Sequence, residues 1–256
     1  MCHADDSKPP PLPQDLALPP VAGGAAAEIT TATAQDGTEL SIALALSSQP
    51  RDPAVVIVPD VRGLHRFYAE LAERFAAAGH HAVAIDPFGR TAGTGERPND
   101  WDYWQHALDS DPRTVQQDIA AACDVLRQRG AASRFAVVGF CYGGSQAFLA
   151  ATNPDLPIER AVGFYGGLNG EKLEMPAARD EAIHTRIPVL GLFGGADQSI
   201  PEADRAKFAE NLRAAGVPHE IHVYPGAPHS FFDRKQEEHA ETSTDAWRRT
   251  LAFLAD

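Results

Sequence analysis

Several things are scarce in this chain, and each scarcity removes a class of protein. No apolar run approaches the ~20 residues of a bilayer-spanning helix, which argues against a membrane helix. Basic residues are few: 22 Lys and Arg against 35 Asp and Glu leave a formal net charge of −13. A nucleic-acid binder needs a basic footprint, so no nucleic-acid partner is expected. Cysteine is limited to Cys2, Cys123 and Cys141, odd in number and far apart, which is no disulfide framework. Reduced thiols fit a cytoplasmic location. So does an N-terminus with acids and prolines where a secretory signal has bases and an apolar helix. Gly143-Gly144 is followed by no Lys-Ser/Thr and no G-x-G-x-x-G is present, so no nucleotide site is expected. The histidines lack metal spacing: His80 and His81 are adjacent, and His219 and His222 are three apart on a strand and face opposite sides. Cys2-His3 is too short for a site. Neither a metal nor a cofactor is expected.

What remains is a chain of 256 residues, 44% apolar and 22% charged, with the material for one sizeable core. Residues 1–24 are Pro-rich, lack periodicity and end in Gly23-Gly24, which predicts an extended arm. Residues 25–256 read as a single domain. Ile29 to Ala34 and Leu40 to Leu46 flank the turn dipeptide Asp36-Gly37 and predict an antiparallel hairpin.

From residue 54 short apolar runs alternate with helical patterns. Strands are predicted at 54–58, 82–85, 135–140, 161–164, 189–193 and 221–224. Helices are predicted at 67–78, 112–129 behind an Asp111 cap, 143–151, 203–215 and 237–254. This alternation predicts an α/β fold with a mostly parallel central sheet, the hairpin at its N-terminal side and helices on both faces.

In such sheets ligands bind beyond the carboxyl ends of the strands. The segments there are Pro59-Asp60-Val61-Arg62-Gly63, Asp86-Pro87-Phe88-Gly89-Arg90, Cys141-Tyr142-Gly143-Gly144, Gly194-Gly195-Ala196-Asp197 and Pro225-Gly226-Ala227-Pro228-His229. A thiol, a carboxylate and an imidazole thus converge on one edge. Gly139-Phe140-Cys141-Tyr142-Gly143 is G-x-C-x-G between strand and helix, a nucleophile-elbow pattern with cysteine in place of serine. Such a turn presents sulfur at a helix N-terminus, where the dipole favours thiolate.

The expected roles are Cys141 as nucleophile, His229 as base and Asp197 as its orienting acid, with the N–H groups of Val61 and Tyr142 as the oxyanion hole. Taken singly, each has a bland alternative: a structural thiol, an Asx-turn aspartate, an ordinary loop histidine. Their order and placement favour the triad. Cys123, mid-helix among alanines, reads as core packing. Trp101, Tyr103 and Trp104 follow Arg90 in a predicted loop; they either wall a pocket or pack beneath the loop.

Through these segments the chain resembles the dienelactone hydrolase (carboxymethylenebutenolidase) family, a branch of the α/β-hydrolase fold with a cysteine nucleophile. The resemblance runs from about Ala54 to Leu254. It rests on Val-Pro-Asp-Val-Arg-Gly, Asp-Pro-Phe-Gly-Arg, Gly-Phe-Cys-Tyr-Gly-Gly, Gly-Gly-Ala-Asp and Pro-His-Ser-Phe, in that order. It implies ring opening of a lactone, or cleavage of a small ester, by acyl transfer to cysteine and then hydrolysis. It also implies that Asp60 stands where the family has a cysteine-contacting glutamate. Arg90 would match the first of two carboxylate-binding arginines. Asp233 occupies the expected place of the second, with Arg234 next to it. The expected partner is a small-molecule lactone or ester, and the expected state a monomer or homodimer. The alternatives are a broad esterase or thioesterase, and a non-catalytic ligand-binding protein on the same scaffold.

Overall fold

The computed structural model describes residues 7–18, 26–95, 97, 101–130 and 134–256. Its apolar runs become one eight-stranded sheet. The strands are β1 (Glu28–Thr33), β2 (Glu39–Ala45), β3 (Ala54–Val58), β4 (Ala82–Ile85), β5 (Phe135–Phe140), β6 (Ile158–Phe164), β7 (Val189–Gly194) and β8 (His219–Tyr224). Their order is β1-β2-β4-β3-β5-β6-β7-β8. The hairpin β1–β2 pairs antiparallel and joins β4 antiparallel; every pairing from β4 to β8 is parallel. Strands β3, β4, β5 and β7 are buried at every residue, as runs without polar alternation require when both sheet faces are covered.

The helices are α1 (Arg66–Ala77), α2 (Gly89–Ala92), α3 (Tyr103–Leu108), α4 (Pro112–Gln128), α5 (Tyr142–Ala150), α6 (Ala178–Glu181), α7 (Glu202–Ala215) and α8 (Ala240–Ala255). Two side chains of β5 show that both faces are covered. Phe140 packs on Tyr68 of α1, with ring centroids 5.9 Å apart, while the Phe135 ring lies 4.8 Å from the Arg127 guanidinium of α4. Residues five apart on a strand point to opposite faces, so α1 and α4 lie on opposite sides. On the α1 side an aromatic chain runs from Phe164 through Phe232 and Trp247 of α8 to Phe75 of α1. On the other side Phe148 of α5 packs on Phe208 of α7 at 4.7 Å. No helix among the described residues is long and apolar enough to cross a membrane.

The expected α/β architecture is present, with differences at element ends. β6 and β8 begin earlier than their apolar signal, because Ile158, Arg160, His219 and Glu220 pair in the sheet although three of the four are polar or charged. The last helix begins at Ala240, not near 237. The chain before it turns, with the Ser230 carbonyl accepting from the N–H groups of both Asp233 and Lys235. The segment read as an aromatic loop contains α3. Asp111 caps α4 as expected, accepting from the Arg113 N–H at 2.9 Å.

Of the arm, residues 7–18 lie across α1 and α8. The Pro10 carbonyl accepts from Arg74 Nε and Trp247 Nε1, Asp15 pairs with Arg248, and the Leu18 N–H donates to the Ala77 carbonyl. The remaining arm positions, Cys2 among them, lie outside the described residues.

One buried ion pair fastens the hairpin to the helical layer. Arg90 donates from Nη1 to both carboxylate oxygens of Asp118 on α4, at 2.7 and 2.9 Å, and from Nε to Asp36 in the β1–β2 turn at 2.8 Å. The Asp118 side chain is 0% exposed. Truncating one partner of such a pair strands a buried charge. Arg90→Ala should therefore lower stability by about 3–5 kcal/mol, and Arg90→Ala/Asp118→Leu should recover part of that. Urea unfolding of the three proteins measures this; an unchanged midpoint for Arg90→Ala would show that the pair adds no stability.

Candidate active site

The site is built where β5 runs into α5. Cys141 lies between them with φ 53° and ψ −111°, a backbone conformation that side-chain-bearing residues rarely adopt. The neighbouring glycines explain how it is held. A Cβ on Gly139 would collide with the Gly143 carbonyl, and one on Gly143 with the carbonyls of Val58 and Pro59. A Cβ on Gly144 would lie 2.8 Å from Gly166 Cα. The first turn of α5 therefore sits directly against β3, β5 and the loop after β6. The Cys141 N–H donates to the Phe164 carbonyl at 3.0 Å, and its carbonyl accepts from the Ser145 N–H at 3.2 Å. The half-buried Cys141 thus stands at the N-terminus of α5.

The other two triad candidates come from the neighbouring strand ends. His229 Nδ1 is 2.6 Å from Asp197 Oδ2. The second oxygen, Oδ1, accepts from the Ser199 N–H at 2.9 Å and the Ser199 hydroxyl at 2.6 Å. Burial pushes the Asp197 carboxyl up in pKa. The hydrogen bond and charge of His229 and the two Ser199 donors outweigh this and hold it below the ordinary carboxylate value. Asp197 is therefore an anion at neutral pH, fixed on both oxygens. The Tyr165 ring packs on the His229 imidazole at 5.0 Å, and Tyr165 itself has φ 39°.

Cys141, Asp197 and His229 line one cavity of about 500 Å³, together with Val61, Tyr142, Trp104 and Arg234. Trp104 comes from α3. Trp101 instead packs beneath that segment, stacked on His106 at 5.0 Å with the Arg97 guanidinium over its ring.

Two of the expected substrate contacts are not at the cavity. Arg90, the expected carboxylate anchor, does not line the cavity, and Asp118 and Asp36 engage its guanidinium. Asp60 is also off the cavity wall and 2% exposed. Its carboxylate accepts from the Tyr68 hydroxyl at 2.6 Å and the Arg62 N–H at 2.8 Å, with His65 Nε2 at 3.7 Å. It shapes the loop that carries Val61. Sequence reasoning missed Ser199, Tyr165 and Lys172. The Asp197-Gln198-Ser199 spacing carried a turn signal for Ser199, and Tyr165-Gly166-Gly167 ends a strand at the same sheet edge. Lys172 lies in an aperiodic stretch and lines the cavity without any sequence signal.

A strained cysteine between strand and helix, with an acid and a histidine after later strands of a largely parallel sheet, defines the α/β-hydrolase class. The chain belongs to the dienelactone hydrolase family, whose model matches residues 40–256. It is 35% identical over 232 residues to a Yersinia pestis protein named "Putative carboxymethylenebutenolidase", spanning 88% of this chain and 86% of that one. It is 29% identical over 231 residues, 85% of this chain and 91% of the other, to a Bradyrhizobium protein named "Probable 2-oxo-3-(5-oxofuran-2-ylidene)propanoate lactonase". Among solved structures it is similar to a "Putative Dienelactone Hydrolase" from Klebsiella pneumoniae. That similarity has a TM-score of 0.79 and 29% identity, over 90% of this chain and 98% of that one.

The environments of two cysteines make opposite predictions. Cys123 is buried in α4, and burial pushes its thiol up to about 12. In a Cys2→Ser background, iodoacetamide at neutral pH should label Cys141 while Cys123 stays unlabelled until urea unfolds the chain. Peptide mass spectrometry reads both; early labelling of Cys123 would contradict the placement.

Asp233 provides a pH test. It is 3% exposed, accepts from the Ser7 hydroxyl of the arm at 2.9 Å, and has its pKa raised to about 8, first by burial and then by the nearby Asp60 charge. Its pKa is higher folded than unfolded. The unfolded chain therefore releases this proton first, and stability falls as pH climbs from about 4 to about 8. Asp233→Asn should gain stability relative to the parent over that window and show no gain at pH 4. Thermal melts across the range check it; a gain independent of pH would exclude the ionisation.

Proposed function

We propose that this protein is a cysteine hydrolase that opens a lactone or cleaves a small ester through an acyl-enzyme. The observation that carries the reading is the strained Cys141 at the N-terminus of α5, in one cavity with a His229 that Asp197 holds at 2.6 Å. Asp197 accepts a hydrogen bond from the Nδ1–H of His229, which leaves the lone pair on Nε2 free to act as the base.

In the first step His229 Nε2 takes the thiol proton and Sγ attacks the carbonyl carbon. The carbonyl oxygen becomes an oxyanion, stabilised by the N–H groups of Val61 and Tyr142. Tyr142 is the first residue of α5, so its N–H has no carbonyl one turn back to bond. Collapse of the tetrahedral intermediate breaks the carbon–oxygen bond, and imidazolium returns its proton to the departing alkoxide. In a lactone that alkoxide remains tethered to the acyl group. Water, deprotonated by His229, then attacks the thioester, and the thiolate leaves and is reprotonated. The Asp197 anion stabilises imidazolium in both half-reactions. The strongly matched relatives named as a carboxymethylenebutenolidase and a lactonase support lactones as the substrate class. Thioesters and simple esters would pass through the same steps.

Cys141→Ala should lower turnover of a lactone or activated ester by a factor on the order of 10⁴. Acid quenching of the parent enzyme should trap a mass adduct of one acyl group on the peptide carrying Cys141. Retained turnover in Cys141→Ala would overturn the reading.

A further inference from the structure

The N-terminal arm reaches the turn that carries part of the active site. Residues 7–18 lie outside the range that the family model matches, 40–256, and the chemistry proposed above makes no use of them. They are nonetheless docked along their length. Pro9 and Pro10 are buried, Leu12 and Leu16 pack against the core, Asp15 pairs with both Nη atoms of Arg248, and the Leu18 N–H donates to the Ala77 carbonyl. At the front of this strap the Ser7 hydroxyl donates to Asp233 Oδ1 at 2.9 Å. Asp233 belongs to the turn between β8 and α8, in which His229 and Arg234 line the cavity while residues 230–233 are buried. The arm meets this turn a second time through Trp247. The Pro10 carbonyl accepts from Trp247 Nε1 at 3.3 Å, and the Trp247 ring packs edge-on against Phe232 at 5.4 Å. Within the turn Ser230 has φ 59°, a backbone state that persists only where surrounding contacts hold it. Asp233 also feels the charges of Asp60, Arg62 and His65, which lie between β3 and α1. A buried carboxyl beside a second acid needs donors, and the arm supplies one of them.

We propose that the arm is a working part of the active site: Ser7 is a positioning residue that, by holding Asp233, sets the turn bearing His229 and Arg234 in register with Cys141. This rests on the hydrolase reading and extends its machinery to the N-terminal arm. His229 and Asp233 are four residues apart in one buried turn, so a displacement at Asp233 is passed to the imidazole through main chain with little freedom of its own. Asp197 and the Tyr165 ring restrain the imidazole itself, while the arm restrains the backbone that carries it. Proton transfer between Sγ and Nε2 depends steeply on placement, and a small shift caused by a remote contact slows it. Much of the cavity wall comes from other segments, with Trp104, Leu173 and Met175, so the effect falls on kcat rather than KM.

On p-nitrophenyl acetate, Ser7→Ala should lower kcat about 5-fold with KM within about 2-fold of the parent. Ser7→Thr, which keeps the hydroxyl, should restore most of the loss. Asp15→Asn, which breaks the Arg248 pair and loosens the strap away from the turn, should leave kcat unchanged. A second readout needs no turnover. In a Cys2→Ser background, the pH midpoint of Cys141 alkylation by iodoacetamide should rise by about half a unit in Ser7→Ala and return with Ser7→Thr, because a displaced imidazole stabilises the thiolate less. A Ser7→Ala protein equal to the parent in both readouts overturns the proposal. So does either change without the other, or a kcat loss that Asp15→Asn reproduces. If the parent turns over neither this ester nor a simple lactone, the hydrolase reading fails, and the alkylation midpoint alone decides whether the arm positions His229.

Discussion

The site depends on how closely α5 approaches the sheet. Its first turn touches β3, β5 and the loop after β6 with no side chain between the backbones, which Gly139, Gly143, Gly144 and Gly166 permit. That approach has two consequences. It holds Cys141 at a positive φ, and it sets the start of α5, whose first N–H groups have no partner one turn back, at the cavity that Cys141 and Tyr142 line. Strain at one residue is affordable because the surrounding sheet, buried on both faces, leaves the chain no alternative path. The glycines, the strain and the placement of Cys141 at the cavity are therefore one feature seen at three levels.

Charge in this protein is organised locally, and its overall sign says little about the site. The buried acids follow different solutions. Asp118 and Asp86 are met by Arg90 and Arg97, which join the hairpin, α4 and the loop after β4. Asp197 is met by His229 and Ser199 and stays ionised. Asp233 is met by the arm through Ser7, and burial beside Asp60 favours its protonated form. Arg90, the arginine with the strongest sequence claim to the site, thus serves to neutralise a structural acid. The cations at the cavity, Lys172 and Arg234, come from loops on other strands. Low dielectric around Asp118 makes an unpaired charge there far more costly than one at a solvated cavity rim, so the buried acid takes the arginine.

Much of the fold was legible in the sequence because the strands at the centre of a parallel sheet are continuous apolar runs. Ala54–Val58, Ala82–Ile85 and Phe135–Phe140 coincide with their predicted spans. The ends of β6 and β8 were not legible, since residues pairing at a sheet margin can be charged. The segment holding α3 was not legible as a helix either, being short and rich in aromatics.

The sequence by itself determined the backbone chemistry of the site: glycines on both sides of Cys141, and Asp197 and His229 just past later strands, are local facts of residue order. Sheet topology turns that order into spatial neighbourhood, because parallel strands deliver all their carboxyl ends to one edge. Only the tertiary structure decided which charged side chains face the cavity. Arg90 and Lys172 carry the same sign, and nothing in their local sequence reveals that one has a buried acid within reach and the other an aromatic ring. A side chain's role is set by the free energy of its alternatives, and those alternatives are contributed by residues distant in the chain.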